Sequence, residues 1–414
     1  MAETCTEALS RAALEWLLKS ARSTGEALTW TGSPSDEELD PTLYSGGAGI
    51  VLALVEGHAH FGEERYAEAA LRGGRGIADA VDVWGHSALY FGLTGMAFAL
   101  HTLGEQYADE GCQRSAQRAL SHVRTRFDGV RWGEQIELLG GNAGIALGAL
   151  AMGDIDLAVM AVTAYLRLAE RTPGGVTWEG KAGLASRYHH LSHGTLGIVH
   201  ALASVGHATG RSDLVDLALA GVADVVSRNE GDARGFLVPH SDPQHRPELI
   251  ARYSYGWCHG AAGDAQTFRL LGSITGDPAW SNLADRCWHT VTHSGLPHRL
   301  EPGFWDNSGR CCGTAGVLAL AGDRVVERGD DTRFADVLVA DLIERATVDP
   351  TGARWSNDEH RATPSRLEPR TGWAMGNAGI IRELLRYVRM GAGRSPSYAV
   401  AWPDHPAATT GGPR

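Results

Sequence analysis

One short motif recurs seven times along this chain of 414 residues and dominates its organisation. The motif reads apolar-x-Gly-x-x-Gly-apolar, and a run of small and apolar residues follows each copy. The second glycines of the seven copies are Gly49, Gly95, Gly144, Gly197, Gly263, Gly316 and Gly379. Successive ones lie 46, 49, 53, 66, 53 and 63 residues apart. A motif that returns at this interval predicts a repeat architecture built from one supersecondary unit.

The segments between the motifs have a different pattern. Apolar residues return at positions i, i+3, i+4 and i+7 with charges between them, which is typical of amphipathic helices. The segments are 65–81, 113–127, 157–171, 214–227, 281–293 and 333–347, and a helix near residues 6–22 adds a seventh. The runs after the glycines are apolar on every side, so each repeat predicts one outer helix and one buried inner helix.

Seven such pairs can form an open solenoid or close into a ring. Uniformly apolar inner helices favour closure, because an open array would expose one wall of its groove. We predict an all-α fold, an α/α toroid (double α-barrel) of seven outer–inner helix pairs, as a single domain over residues 1–391. The Pro-, Ala- and Gly-rich residues 392–414 are predicted to be a disordered tail.

Charge and hydropathy exclude several functions. The net charge is −12, and no basic cluster is long enough to grip a phosphate backbone, so no nucleic acid partner is expected. The charged N-terminus has no apolar signal-peptide core, and no apolar run approaches the ~20 residues of a transmembrane helix. We therefore expect a cytoplasmic protein whose thiols stay reduced.

Three of the six cysteines lie at two of the glycine motifs, where inner helices begin. Cys258 precedes Gly260 by two residues, and Cys311 and Cys312 directly precede Gly313. A helix N-terminus favours a thiolate. Three thiolates with an open fourth position are typical of a catalytic zinc site, whereas a structural site would need a fourth ligand.

We predict one zinc ion (Zn2+) per chain, bound by Cys258, Cys311 and Cys312. Cys287 is the nearby candidate for a fourth ligand, but it lies midway along an outer helix. Cys5 and Cys112 also fall at outer positions.

Four other polar residues near the motifs are candidates for chemistry. His193 directly precedes Gly194 and is either a general acid or base, a fourth zinc ligand, or a hydrogen-bonded structural histidine. Glu137 is either a solvated charge or a group that orients His193. His259 and Arg252 are weaker candidates for contact with an oxyanion or with substrate.

Taken together, these motifs resemble those of the lanthionine synthetase C-like cyclases. The resemblance extends over about residues 40–390 and depends on the glycine repeats combined with Trp257-Cys258-His259-Gly260, Cys311-Cys312-Gly313 and Ser192-His193-Gly194. It implies an α/α toroid with one zinc ion, held by Cys258, Cys311 and Cys312. The family's third ligand is usually histidine, so Cys312 is a departure.

The resemblance also suggests roles for the candidate residues. His193 matches the active-site histidine of the family, and Glu137 falls where an aspartate is usual. His259 occupies a position that varies in the family, where tyrosine or another residue is found. Arg252 lies two residues from the position of the family's arginine.

The activity implied is that of a lanthipeptide cyclase. Such an enzyme adds cysteine thiolates of a dehydrated precursor peptide to dehydroalanine or dehydrobutyrine, forming lanthionine and methyllanthionine thioether rings. No kinase-like or dehydratase-like segment is present, so a separate dehydratase is expected as a partner, in a complex that could be peripherally associated with a membrane.

Two other functions remain open at this stage. One is a non-catalytic adaptor of the same family that binds a thiol such as glutathione. The other is a zinc thiol alkyltransferase of the prenyltransferase type, which would need a basic diphosphate pocket. No cluster of Lys and Arg on the motif face provides such a pocket.

Overall fold

Each glycine motif opens an inner helix in the computed structural model, which describes residues 2–298, 307–357 and 367–406. The outer helices lie between the inner ones along the chain. The helices in chain order are α1 (Ala2–Lys19), α2 (Gly47–Phe61), α3 (Glu64–Ala80), α4 (Leu93–Tyr107), α5 (Glu110–Thr125), α6 (Asn142–Ala151), α7 (Ile155–Thr163), α8 (Tyr165–Leu168), α9 (Thr195–Thr209), α10 (Ser212–Ser227), α11 (Ala261–Thr275), α12 (Pro278–Thr292), α13 (Thr314–Arg328), α14 (Arg333–Arg345) and α15 (Asn377–Gly391).

The predicted alternation of outer and inner helices is confirmed. The inner helices are α2, α4, α6, α9, α11, α13 and α15, and every one of them begins within its Gly-x-x-Gly motif. The fourth outer helix is divided into α7 and α8, which Ala164 separates. The repeat period therefore located the helices that position the candidate site.

Among the described residues, four short antiparallel strand pairs lie between helices, and the sequence pattern did not predict them. They pair β1 (Arg22–Thr24) with β2 (Ala27–Thr29), β3 (Glu170–Thr172) with β4 (Gly175–Thr177), β5 (Arg187–Tyr188) with β6 (Ser241–Asp242), and β7 (Thr347–Asp349) with β8 (Gly352–Arg354). The β5–β6 pair matters most here, because it places Tyr188 opposite Ser241.

The glycines of the motif are required by close approach of backbone segments. Gly194 has an extended backbone with φ −117°, so a left-handed conformation is not the reason for glycine. A Cβ atom at Gly194 would lie 2.5 Å from the carbonyl carbon of His189, and one at Gly197 would collide with the carbonyl oxygen of Leu191. The preceding loop therefore wraps tightly over the start of α9, which fixes the residues just before the helix.

The described residues fall into two compact units. One is drawn from Met1–Trp84, Gly95–Ala119 and Gly295–Val400, and the other from Gly85–Thr94, Leu120–Ser294 and Ala401–Arg414. No helix among the described residues has both the length and the apolar character needed to cross a membrane.

The first unit packs inner helices α13, α15 and α2 side by side, with α14, α1 and α3 on their outer faces. Its core contains charge: Glu56 is fully buried and accepts hydrogen bonds from Arg389 (3.2 Å) and from the Ala399 N–H (2.9 Å). Ala399 belongs to the segment predicted to be a disordered tail, and Arg386 also bonds the Pro396 carbonyl at 3.0 Å. Composition could not predict these buried ionic contacts. Residues 407–414 lie outside the described part, and the domain boundary at residue 391 stays a prediction.

The second unit packs inner helices α6, α9 and α11 side by side, with α7, α10 and α12 on their outer faces. Its interior is largely apolar, and the Phe236 and Phe268 rings meet edge to face with centroids 5.0 Å apart. The turns that lead into α6, α9 and α11 all belong to this unit. They supply the polar side chains described next.

Candidate active site and metal centre

The three motif cysteines form a buried group of thiols. Their Sγ atoms all lie within 4.8 Å of one another, and Cys258, Cys311 and Cys312 are 2%, 1% and 5% exposed. Cysteine sulfur is a preferred ligand of zinc, and three protein ligands leave a fourth position for substrate in catalytic sites. The donor set therefore fits the predicted metal.

Backbone hydrogen bonds hold each part of this group. In the first unit, Cys311 donates its N–H to the Ala374 carbonyl at 2.8 Å, and the Tyr44 hydroxyl lies 3.4 Å from the Cys311 sulfur. In the second unit, the Cys258 carbonyl accepts the N–H of Ser192 at 3.0 Å. This last contact joins the turn that carries Cys258 to the turn that carries His193.

The remaining cysteines lie elsewhere. Cys112 and Cys287 are buried on outer helices α5 and α12, and Cys5 is exposed on α1. Burial raises the pKa of Cys112 to about 12 and also raises the pKa of Cys287 well above its usual value. Both thiols are therefore protonated at neutral pH, unlike the thiolates that a metal site requires.

His193 and Glu137 form a pair. The Nδ1 atom of His193 lies 3.3 Å from a carboxylate oxygen of Glu137, whose side chain is only 2% exposed. The same carboxylate accepts the N–H groups of Leu139 (2.6 Å) and Gly140 (3.0 Å). Glu137 is thus not a solvated charge: it is held rigidly by backbone donors and placed against the His193 ring.

His259 packs against His193. The two rings are stacked, with centroids 5.3 Å apart and planes 26° from parallel. His259 is 6% exposed, its Nε2 atom lies 3.4 Å from the Ser192 hydroxyl, and burial lowers the pKa of its ring well below the usual value. The His259 ring is therefore neutral and enclosed, and it packs against the His193 ring.

Arg252 is not brought to this group. Its side chain is 49% exposed, and its guanidinium pairs with Glu230 and lies over the Tyr253 ring at 5.5 Å. It does not line the cavity beside His193. The surface ion pair with Glu230 accounts for its position.

A cavity of about 330 Å³ opens beside the His193–Glu137 pair. The side chain of His193 is 30% exposed, so it can meet a molecule that enters. The cavity is lined by the segment 180–184 and by Gln135, Glu137, Tyr188, His193 and His245. A histidine held by a buried carboxylate at a cavity wall is suited to acid–base chemistry.

Several polar residues of this region were not predicted from the sequence. Tyr188 lines the cavity. The His240 ring packs against the Tyr188 ring, and their centroids lie 5.2 Å apart. His190 forms a second pair with Asp264, at 2.9 Å and with both side chains 1% exposed. The run His189-His190-Leu191-Ser192-His193 was the available signal, since it places three histidines at one motif.

Known structures share this fold. Nisin cyclase superposes with a TM-score of 0.65 at 16% identity, over 89% of this chain and 92% of that chain. A family 76 α-mannanase from Bacteroides thetaiotaomicron gives a TM-score of 0.52 at 10% identity, over 94% and 96% of the two chains. Unsaturated glucuronyl hydrolase from Bacillus sp. GL1 gives 0.50 at 15% identity, over 96% and 99%. The predicted α/α toroid is confirmed by these structural matches.

Sequence comparison identifies the family. No curated protein matches the chain by sequence. A family model described as lanthionine synthetase C-like protein matches residues 37–246 and 245–339, which is more than half of the chain. The chain therefore belongs to the lanthionine synthetase C-like protein family.

Proposed function

We propose that this protein is a zinc-dependent lanthipeptide cyclase. It adds cysteine thiolates of a dehydrated precursor peptide to dehydroalanine or dehydrobutyrine and forms lanthionine or methyllanthionine rings. The observation that carries the proposal is the buried group of three cysteine sulfurs within 4.8 Å of one another, in a chain of this family. A separate dehydratase supplies the substrate, and the reaction takes place in the cytoplasm.

Cys258, Cys311 and Cys312 would hold the zinc ion. When bound there, zinc would lower the pKa of a substrate thiol, so that the sulfur would react as a thiolate at neutral pH. The three ligands are almost fully buried, which keeps competing water away from the sulfurs.

The reaction itself is an addition across a double bond. A carbon–sulfur bond forms at the β-carbon of the dehydroamino acid, and the carbon–carbon π bond breaks. The electron pair moves onto the acyl oxygen as an enolate, and a proton then adds at the α-carbon. Nothing leaves, so the product has the mass of the substrate.

His193 is the proposed proton donor to the α-carbon. Glu137 contacts Nδ1, so the proton that reaches the substrate travels on Nε2. A carboxylate beside the ring stabilises its cationic form, which is the form that can donate. The two backbone N–H groups on Glu137 keep the carboxylate in place throughout.

The cavity favours this chemistry over the two other functions. Lys181 is the one lysine of its lining, which contains no arginine, and it lies 3.5 Å from Glu134. A diphosphate would find little positive charge there, which argues against a prenyltransferase-type reaction. A thiol-binding adaptor would not need a carboxylate-held histidine at the cavity wall.

The test is reconstitution with a dehydrated precursor peptide that carries free cysteines. The wild-type protein is expected to remove one alkylatable thiol per ring without a change in peptide mass, as measured by alkylation and mass spectrometry. Cys258→Ala is expected to lose bound zinc and to slow cyclisation at least about 100-fold, since one of three ligands is removed. Cys5→Ala, an exposed cysteine on α1, is the matched control and should keep both zinc and activity.

Two results would contradict the proposal. Zinc-loaded wild-type protein that leaves all peptide thiols free would show that it is not a cyclase, and tight binding of a thiol without turnover would favour the adaptor. Full zinc content in Cys258→Ala would remove that cysteine from the metal site.

A further inference from the structure

Tyr188 lies at the cavity wall among several histidine rings. Its ring meets His240 and His245 edge to face, with centroids 5.2 and 5.7 Å away and planes at 81° and 86°. The His193 ring lies 6.3 Å away on the cavity side. Edge-to-face packing on two partners fixes the plane of a tyrosine ring.

The backbone of Tyr188 is held as well. In the β5–β6 pair, Tyr188 lies opposite Ser241, and the Tyr188 carbonyl accepts a hydrogen bond from the hydroxyl of Thr195 at 3.4 Å. Thr195 is the first residue of α9, directly after the His193–Gly194 turn. Tyr188 and His193 are therefore fixed to the same helix start.

The hydroxyl group of Tyr188 is unused by the protein. Within residues 2–298, 307–357 and 367–406, it makes no hydrogen bond. Other buried tyrosines use theirs: Tyr90 donates to Asp404 at 3.0 Å and Tyr398 donates to Glu383 at 2.6 Å. A half-buried phenol usually finds a partner, so an unused hydroxyl at a cavity wall indicates a ligand.

The hydroxyl is a donor at neutral pH. Burial raises the pKa of Tyr188, although Arg246 opposes this and Glu137 adds to it. The phenol therefore keeps its proton and can donate a hydrogen bond without giving the proton up.

We propose that the Tyr188 hydroxyl donates a hydrogen bond to the acyl oxygen of the dehydroamino acid in this cavity, where negative charge develops as sulfur adds. The inference rests on the proposed function. The acyl oxygen is two bonds from the α-carbon, so its donor has to lie close to the acid that protonates that carbon. The centroids of the Tyr188 and His193 rings lie 6.3 Å apart and both side chains line the cavity, so one acrylamide group in the cavity can reach both.

Tyr188 thereby takes the role that sequence analysis gave to His259 and Arg252. His259 does not line the cavity, and its Nε2 atom faces Ser192. Arg252 is engaged by Glu230 at the surface. Tyr188 shares the cavity wall with both His193 and Glu137.

The test is Tyr188→Phe, assayed by steady-state kinetics on the dehydrated peptide. The variant keeps the ring and its packing and removes only the donor. We expect kcat to fall about 10- to 100-fold with KM within about twofold, because the hydrogen bond strengthens as charge develops on the oxygen. The thermal midpoint should stay within about 2 °C of wild type, since the hydroxyl has no hydrogen-bond partner in the described part of the chain.

Tyr107→Phe is the matched control. Tyr107 is also partly buried, its hydroxyl lies 3.1 Å from His58 Nδ1, and it does not line the cavity. Its removal should leave kcat and KM unchanged.

The outcomes separate the two proposals. Wild-type protein that consumes thiols while Tyr188→Phe matches it in kcat overturns the role of Tyr188 and leaves the cyclase proposal standing. A rise in KM alone, with kcat unchanged, also overturns it, because the hydroxyl would then bind the ground state only. Wild-type protein that consumes no thiols overturns both proposals.

Discussion

Two carboxylate–histidine pairs lie in the second unit, and they differ in access rather than in geometry. Glu137 meets Nδ1 of His193 at 3.3 Å, and Asp264 meets Nδ1 of His190 at 2.9 Å. The first pair has a histidine that is 30% exposed at a cavity wall, whereas both members of the second are 1% exposed. The comparison teaches that contact with a cavity, and not the pair itself, separates the arrangement that we propose as catalytic from a structural one.

The same backbone device produces both pairs. The first glycine of the motif donates its N–H to the residue four positions earlier, from Gly141 to Glu137 at 3.0 Å and from Gly194 to His190 at 2.9 Å. That earlier residue then reaches the neighbouring repeat. Glu137 reaches the turn before α9, and His190 reaches Asp264 on α11. At these two turns, the residue four positions before the first glycine therefore pairs with a neighbouring repeat, and the surrounding loops decide which pair meets the cavity.

The largest expected effect is that of His193→Asn. Loss of a general acid typically costs about 10²- to 10⁴-fold in rate, or about 3–5 kcal/mol in the activation free energy. Zinc content and unfolding free energy should stay near wild type, because Asn occupies less space at a partly exposed position. Cyclisation rate, bound zinc and urea denaturation measure the three quantities.

His207→Asn is the control for that variant. His207 is an exposed histidine on α9, the helix that His193 precedes, and its replacement should leave the rate unchanged. If His193→Asn kept full activity, the exposed pair would be structural like the buried one, and the comparison would fail.

The sequence predicted the helices of this fold well, because glycine spacing and apolar periodicity are local signals. It also indicated His193 and the three cysteines as candidates, since each lies one or two residues before a motif glycine. It did not find Tyr188, which reaches the cavity through the two-residue strands β5 and β6. That pairing joins residues more than 50 positions apart, and such long-range contacts leave no periodic pattern in a sequence.

Asp264→Asn should lower the stability of the protein, whereas His193→Asn should lower its catalytic rate. A buried hydrogen bond to a charged group contributes about 1.5–3 kcal/mol, so the free energy of unfolding should fall by about that amount. The rate per folded molecule should stay within about threefold of wild type. Urea denaturation and the cyclisation assay measure the two effects.

An exposed aspartate provides the matched control for Asp264. Asp213 is 48% exposed and pairs with Arg211 at the surface, where solvent screens the ion pair, so Asp213→Asn should leave the unfolding free energy unchanged within error. A large loss of rate in Asp264→Asn with stability unchanged would place the buried pair in the chemistry and reverse the comparison.

A third histidine of the same unit sharpens the comparison, because it is buried without a carboxylate partner. His200 on α9 is fully buried, its Nδ1 atom lies 3.4 Å from the Thr267 hydroxyl, and its Nε2 atom has no hydrogen-bond partner among the described residues. Burial, with smaller contributions from the charges of His405 and Arg269, lowers the pKa of His200 to about 3. His200 is therefore neutral in the folded protein over the whole physiological range.

The smallest expected effect is a change in acid sensitivity for His200→Leu. Between pH 6.5 and about 3 the unfolded chain binds a proton at His200 that the folded chain does not, so stability present above pH 6.5 is lost as the pH falls. One such group makes the free energy of unfolding change by up to about 1.4 kcal/mol per pH unit. The difference in unfolding free energy between wild type and His200→Leu should therefore change by about 1 kcal/mol per pH unit between pH 6 and 4.5, as followed by urea denaturation, whereas His207→Asn should run parallel to wild type. Parallel curves for His200→Leu would mean that this ring takes up its proton equally in the folded and the unfolded chain, and its assignment as a neutral buried histidine would then fail.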